Sequence, residues 1–109
     1  MINFNGEDWR VCLVSSNHPQ LQRYDGSWTI GACDDYMKTI YIIEGLDDYM
    51  FRKVLSHELT HAAMFSYNVD LTLEQEELFA DLIATYGREI VCKANLFFKR
   101  INENKEAFC

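Results

Sequence analysis

The chain has 109 residues, 49% of them hydrophobic and 14% aromatic, which is enough for one modest core and too apolar for disorder. A net charge of −7 without an extended basic cluster argues against binding a phosphate backbone, so no nucleic-acid partner is expected. No apolar run is long enough for a bilayer, and the N-terminus lacks the basic-then-apolar layout of a signal peptide. We therefore expect a single domain over residues 1–109, soluble, cytoplasmic and without a membrane partner. Cys12, Cys33, Cys92 and Cys109 are widely spaced with no CxxC pair, which favours free thiols over disulfides and excludes a four-cysteine zinc knuckle.

The first half reads as strands. Trp9–Ser15 (WRVCLVS) is rich in Val, Leu and aromatics, and Asn17-His18-Pro19 breaks it, since Pro19 biases His18 away from helix. Asp25-Gly26 signals a turn before a second strand at Ser27–Cys33, in which Gly31 weakens the strand or marks a bulge. Lys38–Ile43 (KTIYII) is the clearest strand, and its closeness to Ser27–Cys33 predicts an antiparallel hairpin. The expectation is thus a three-stranded sheet with an antiparallel part.

The second half reads as helices. Asp47 or Asp48 caps a helix to about Tyr67, along which Phe51, Val54, Leu55, Leu59 and Ala62 recur at helical spacing. Thr72 with Gln75 is a capping-box pattern that starts a second helix, whose apolar positions include Leu78, Phe79, Leu82, Ile83, Ile90 and Val91. Gly87 ends this helix or is tolerated within it, and the pattern resumes to about Ile101. Phe97-Phe98 reads either as an exposed dimer patch or, as expected on an amphipathic helix, as a pair of which one packs inward, and the polar tail Asn102–Cys109 is expected to fray or pack loosely. The fold class is α+β: the sheet, then a helix bearing paired histidines, then a long helical segment, the helices laid against the sheet.

Residues 57–61 read His-Glu-Leu-Thr-His. Histidines at i and i+4 stand ~6 Å apart along a helix and nearly in line, so both imidazoles reach one Zn²⁺. Glu58 then sits beside the metal, where it can take a proton from the attacking water and pass it to a leaving amine. Two histidines hold zinc poorly, and the second helix offers Glu74, Glu76, Glu77 and Asp81. Glu77 and Asp81 lie on one face among Leu78, Phe79 and Leu82, where an uncompensated carboxylate is costly. We therefore take Glu77 as the third ligand, with Asp81 accepting from the free nitrogen of a ligating histidine. Glu74 and Glu76 read instead as a solvated acidic first turn favoured by the helix dipole.

HELTH followed by Glu77-Leu-Phe-Ala-Asp81 resembles the gluzincin layout of metallopeptidases. The short chain, the hairpin ending in Lys38–Ile43 and the run HELTHAAMFSY are similar to small ImmA/IrrE-like peptidases, including prophage-encoded minigluzincins. The resemblance covers residues 9–91. It implies a minimal catalytic core with His57, His61 and Glu77 as zinc ligands, Glu58 as general base and acid, and Asp81 behind a ligand. It also implies a peptide substrate added as a strand along Lys38–Ile43. For the oxyanion, His18, Tyr36 and Tyr67 are candidates by chemistry, while Tyr86 should face away from Glu77. Cys109 suggests a thiolate folding back onto zinc to keep the enzyme latent, set against a tail that simply frays.

The leading reading is a zinc-dependent endopeptidase acting on a cytosolic protein, for which the resemblance implies a repressor or other regulator. The alternative is a catalytically silent, zinc-stabilised module that holds a protein without cutting it. Glu58 favours the enzyme, because a purely structural site needs no carboxylate beside the metal.

Overall fold

The computed structural model describes residues 1–104. The chain opens with a strand absent from the expected set. Asn5 and Gly6 take positive φ of 53° and 82°, the geometry of a two-residue hairpin turn, and join β1 (Ile2–Phe4) to β2 (Glu7–Val14) with Ile2 opposite Trp9. A short 3₁₀ turn over Pro19–Leu21 comes next, capped by His18, whose Nδ1 accepts from the Gln20 amide at 3.1 Å. Trp28 then bridges back to Gln22, and the Thr29 amide donates to the Leu21 carbonyl at 2.8 Å. Residues 27–29 are thereby used locally, so the second expected strand is shorter and later: β3 runs Gly31–Asp34.

β4 (Thr39–Ile43) forms the expected antiparallel hairpin with β3, and it also runs parallel to β2 from Arg10↔Thr39 to Val14↔Ile43. The sheet is therefore four-stranded and mixed, in the order β1-β2-β4-β3, rather than three-stranded. This order corrects the expected mode of substrate binding. Lys38–Ile43 is an inner strand with both backbone edges already bonded, so no peptide can add to it; the outer edge beside the helices belongs to β3.

Helix α1 (Asp48–Ser66) starts where expected, with the Asp47 side chain accepting from the Met50 amide at 2.8 Å. It ends at Tyr67, and Asn68 at φ 54° turns the chain away. Val54 and Ala62 join Trp9, Ile40 and Ile42 in the core, with Met50, Phe51, Leu55 and Leu59 packed around them. Trp9 is wholly buried and still satisfied, its Nε1 donating to Ser66 Oγ at 2.8 Å. Gly31 permits the close seat of α1 on the sheet: a Cβ there would lie 2.6 Å from Val54 Cγ1 and 3.2 Å from Glu58 Cγ. The glycine read as a strand weakener or bulge is thus a point of close approach.

Helix α2 (Leu73–Leu82) begins in the expected capping box between Thr72 and Gln75. A single π-helical turn over Ile83–Gly87 leads without a break into α3 (Arg88–Asn104), three residues beyond the expected end. Only α1 lies on the sheet. α2 packs on α1 and the π turn, and the substantial contacts of α3 are with the π turn alone. Leu78, Phe79, Leu82, Ile83, Ile90 and Val91, expected to pack, are consequently exposed, and both Phe97 and Phe98 remain on the surface. Among the described residues Cys12, Cys33 and Cys92 are free thiols, and no helix is long and apolar enough to cross a membrane. Cys109, and with it the idea of a thiolate returning to the metal, lies outside the described residues.

Candidate metal centre

His57 and His61 occupy successive turns of α1, and α2 crosses in front of them. The two Nε2 atoms stand 3.2 Å apart. The Glu77 carboxylate caps both, with Oε2 at 3.3 Å from His57 Nε2 and Oε1 at 2.9 Å from His61 Nε2. These three side chains form a group that can hold a metal ion, with one ligand atom from each and all three atoms within 4.8 Å of one another.

The opposite nitrogen of each ring is held by a carboxylate. Asp81 Oδ1 lies 3.0 Å from His57 Nδ1, the position expected of Asp81 from its spacing one turn beyond Glu77. Glu76 Oε1 lies 2.6 Å from His61 Nδ1, and the Glu76 side chain is only 14% exposed. The reading of Glu76 as a solvated first-turn acid is therefore corrected: α2 approaches α1 closely enough to cover the Glu76 side chain. Glu74 stays in solvent. No spacing rule could have found Glu76, because the pairing depends on the angle at which α2 crosses α1.

The donor set fits a cation. A carboxylate only accepts, so Asp81 and Glu76 select the tautomer that carries its proton on Nδ1. Both Nε2 lone pairs then face each other and the anionic oxygens of Glu77, an arrangement that is repulsive unless a cation or added protons sit among them. Two imidazole nitrogens and one carboxylate, with a side left open to the cleft, suit a transition metal better than calcium or magnesium, which prefer all-oxygen shells.

Glu58 lies deeper, behind the histidines and against Gly31. It is buried, and among the described residues its Oε2 has no hydrogen-bond partner. Burial holds its carboxyl above the usual range, against the pull of His61 and His57, and the nearby Glu77 raises it further. An orphaned carboxylate oxygen in a covered position is expensive and is found where a group has something to hold or transfer. Cys33, on the neighbouring strand, is also pushed upward, first by burial and then by the charge of Glu58, so it stays a thiol.

A cleft of about 370 Å³ runs past the site between residues 29–31 and the facing sides of α1 and α2. His57, Glu58, Glu77 and Asp81 form its polar wall, with Met50, Val54, Ile30 and Ala84 around them. A second hollow shares His57, Glu58 and Glu77 and runs along Gly31–Cys33, the outer edge of β3. Arg23 borders both hollows and was not singled out by the sequence. The three candidates for an oxyanion partner are elsewhere. His18 stacks on Tyr41 at 5.3 Å, Tyr36 projects into solvent, and Tyr67 lies against Phe4 beside a different groove. No family model, no curated protein and no solved structure matches this chain.

Proposed function

We propose that the protein is a zinc-dependent endopeptidase that takes an extended segment of a protein substrate along the outer edge of β3. The observation that carries this reading is the pairing of a three-donor group, His57, His61 and Glu77, with a buried and unpartnered carboxylate one residue away. The resemblance to gluzincins, resting on HELTH and on Glu77 with Asp81, supports it from the sequence.

Zinc in such a set supplies Lewis acidity, which makes water nucleophilic near neutral pH and polarises a carbonyl. The chain's own side chains do the rest. On this reading Glu58 Oε2 takes the proton of the attacking water, and its upward-shifted carboxyl holds that proton until the amine leaves. Asp81 and Glu76 keep the two imidazoles oriented and in one tautomer. β3 offers the outer edge of the sheet to the substrate, and Gly31 keeps that edge close to Glu58. Arg23, which borders both hollows, is a cationic side chain available to a carbonyl or carboxylate of the substrate. A regulatory protein of the same cell, such as a repressor, is the substrate the resemblance implies.

The test is elemental analysis of purified protein beside Glu77→Ala, followed by incubation of the zinc-loaded protein and Glu58→Gln with a mixed peptide library. We expect about one zinc per chain, lost in Glu77→Ala, and cleavage that disappears in Glu58→Gln while zinc stays. Zinc bound with no peptide cut would leave the silent binding module as the function. Absence of zinc after reconstitution would end both readings.

A further inference from the structure

The cleft beside the metal centre does not end at its apolar wall. Lys53 and Ala84 line it, and both also line a further hollow of about 410 Å³ between α1, the π turn and the start of α3, so the two adjoin across these side chains. Leu55, Ile83 and Val91 supply apolar surface in this hollow, and Arg52, Lys53 and Arg88 supply charge, with no carboxylate in the lining. The chain holds 17 acidic residues against 10 Lys and Arg, so a hollow with three cations and no acid runs against the general charge. Among the described residues none of the three cations is in a salt bridge. Lys53 is half-buried, while Arg52 and Arg88 are exposed. Arg52 Nε donates to the Asp48 carbonyl at 3.4 Å, which braces the side chain and leaves its terminal nitrogens for another acceptor.

We propose that this hollow receives an acidic stretch of the substrate, so that Arg52, Lys53 and Arg88 select a segment with Asp or Glu on one side of the bond to be cut. The inference rests on the peptidase reading for the reaction and adds to it the class of segment that the site takes. Lys53 lies one helical turn from His57 and Tyr49 two turns, ~6 and ~12 Å along the axis. An extended chain advances ~3.3 Å per residue, so the acidic side chains fall about two to four residues from the bond held beside Glu58. An apolar side chain among them meets Leu55, Ile83 and Val91. The carboxylates of the cleft itself, Glu77 and Asp81, are directed at the histidines, so the charge met beyond Lys53 is positive. In the other direction the segment follows the edge of β3, which offers backbone in place of such a cluster.

Charge also favours a short peptide over larger anions. Salt screens exposed charges beyond ~8 Å, so a few carboxylates in the hollow respond chiefly to the three cations around them. A nucleic acid or an anionic membrane extends across the surface and meets the rest of a chain whose total is −7. Two of the three cations are arginines, whose planar fork pairs with a carboxylate through two hydrogen bonds.

The test separates binding from cutting. Zinc-loaded Glu58→Gln protein is immobilised and offered a mixed peptide library in two forms, one with Asp and Glu and one with Asn and Gln in their places. Retained peptides should be enriched in Asp and Glu by roughly tenfold, and the enrichment should shrink between about 50 and about 500 mM salt. Arg52→Gln combined with Arg88→Gln should remove it while zinc content and melting temperature hold, and Lys99→Gln, elsewhere on α3, should keep it. Arg52→Glu with Arg88→Glu should turn the preference toward Lys and Arg. If the paired variants fail to fold, Arg88→Gln alone reads the same contact as a partial loss. Enrichment that is absent, or that survives these substitutions, overturns the proposal. So does release of the retained peptides by millimolar inorganic phosphate, which would mark a plain anion site. Cleavage of the library by the wild-type protein with no acidic preference would overturn this inference and leave the peptidase reading standing. Acid-selective binding without cleavage would do the reverse.

Discussion

Helices α1 and α3 are similar in length, at 19 and 17 residues, and both carry an apolar stripe, yet they end in opposite surroundings. α1 lays its stripe on Trp9, Ile40 and Ile42 and so fixes His57, Glu58 and His61 against α2. α3 leaves the body at the π turn and keeps its stripe at the surface. Amphipathicity demands that a face be covered and is silent about what covers it. In α1 the cover is intramolecular, and the functional side chains inherit the rigidity of the sheet.

The comparison can be broken most decisively at the metal. Zinc at ~1,000 times its dissociation constant should stabilise the fold by about 4 kcal/mol through linkage. His61→Ala should abolish that gain, while Ile90→Glu on α3 should leave it intact. Thermal denaturation with and without zinc reads both, and a zinc-dependent melting temperature in His61→Ala would separate the stabilisation from this site.

The two glycines that serve α1 and α3 sharpen the contrast. Gly31→Ala pushes a methyl into Val54 and Glu58, and overpacking of this kind should cost about 1–3 kcal/mol and displace the Glu58 carboxylate. Gly87→Ala meets only the Ile83 side chain at 3.2 Å and gains helix propensity, so its net effect should stay within about 1 kcal/mol of zero. Urea denaturation of the two variants decides this, and equal losses would mean that α1 is seated no more tightly than α3.

Within the site, the two tethering carboxylates should differ. Glu76→Ala leaves the Nδ1 of His61, 9% exposed, without a partner, and should weaken zinc binding by about 10–100-fold. Asp81→Ala should weaken it less, because Asp81 is 70% exposed and water can take its place at His57. Competitive titration with a chelating dye measures both. The smallest effect is chemical: Cys92, exposed on α3, should alkylate readily, while Cys33 beneath the site should resist until the protein unfolds.

Much of the molecule was legible in the chain. The caps at Asp47 and Thr72 placed the starts of α1 and α2, because capping depends on side chains within one turn of the helix end. The spacing of His57 and His61, and of Glu77 and Asp81, put each pair on one helical face, because the period of a helix is local geometry. The Asn5-Gly6 hairpin signal was also present, and β1 was missed only because three residues carry too little pattern of their own.

What the sequence determined by itself was therefore the local chemistry: where α1 and α2 begin, and which donors share a face. Tertiary structure alone decided that Lys38–Ile43 is an inner strand and β3 the open edge, since strand order depends on contacts between segments far apart in the chain. It alone decided that Glu76 reaches His61, which requires the crossing of two helices, and that Ile90, Val91 and Phe98 of α3 lie at the surface. Periodicity records that a face is apolar; only the packed molecule settles what lies against it.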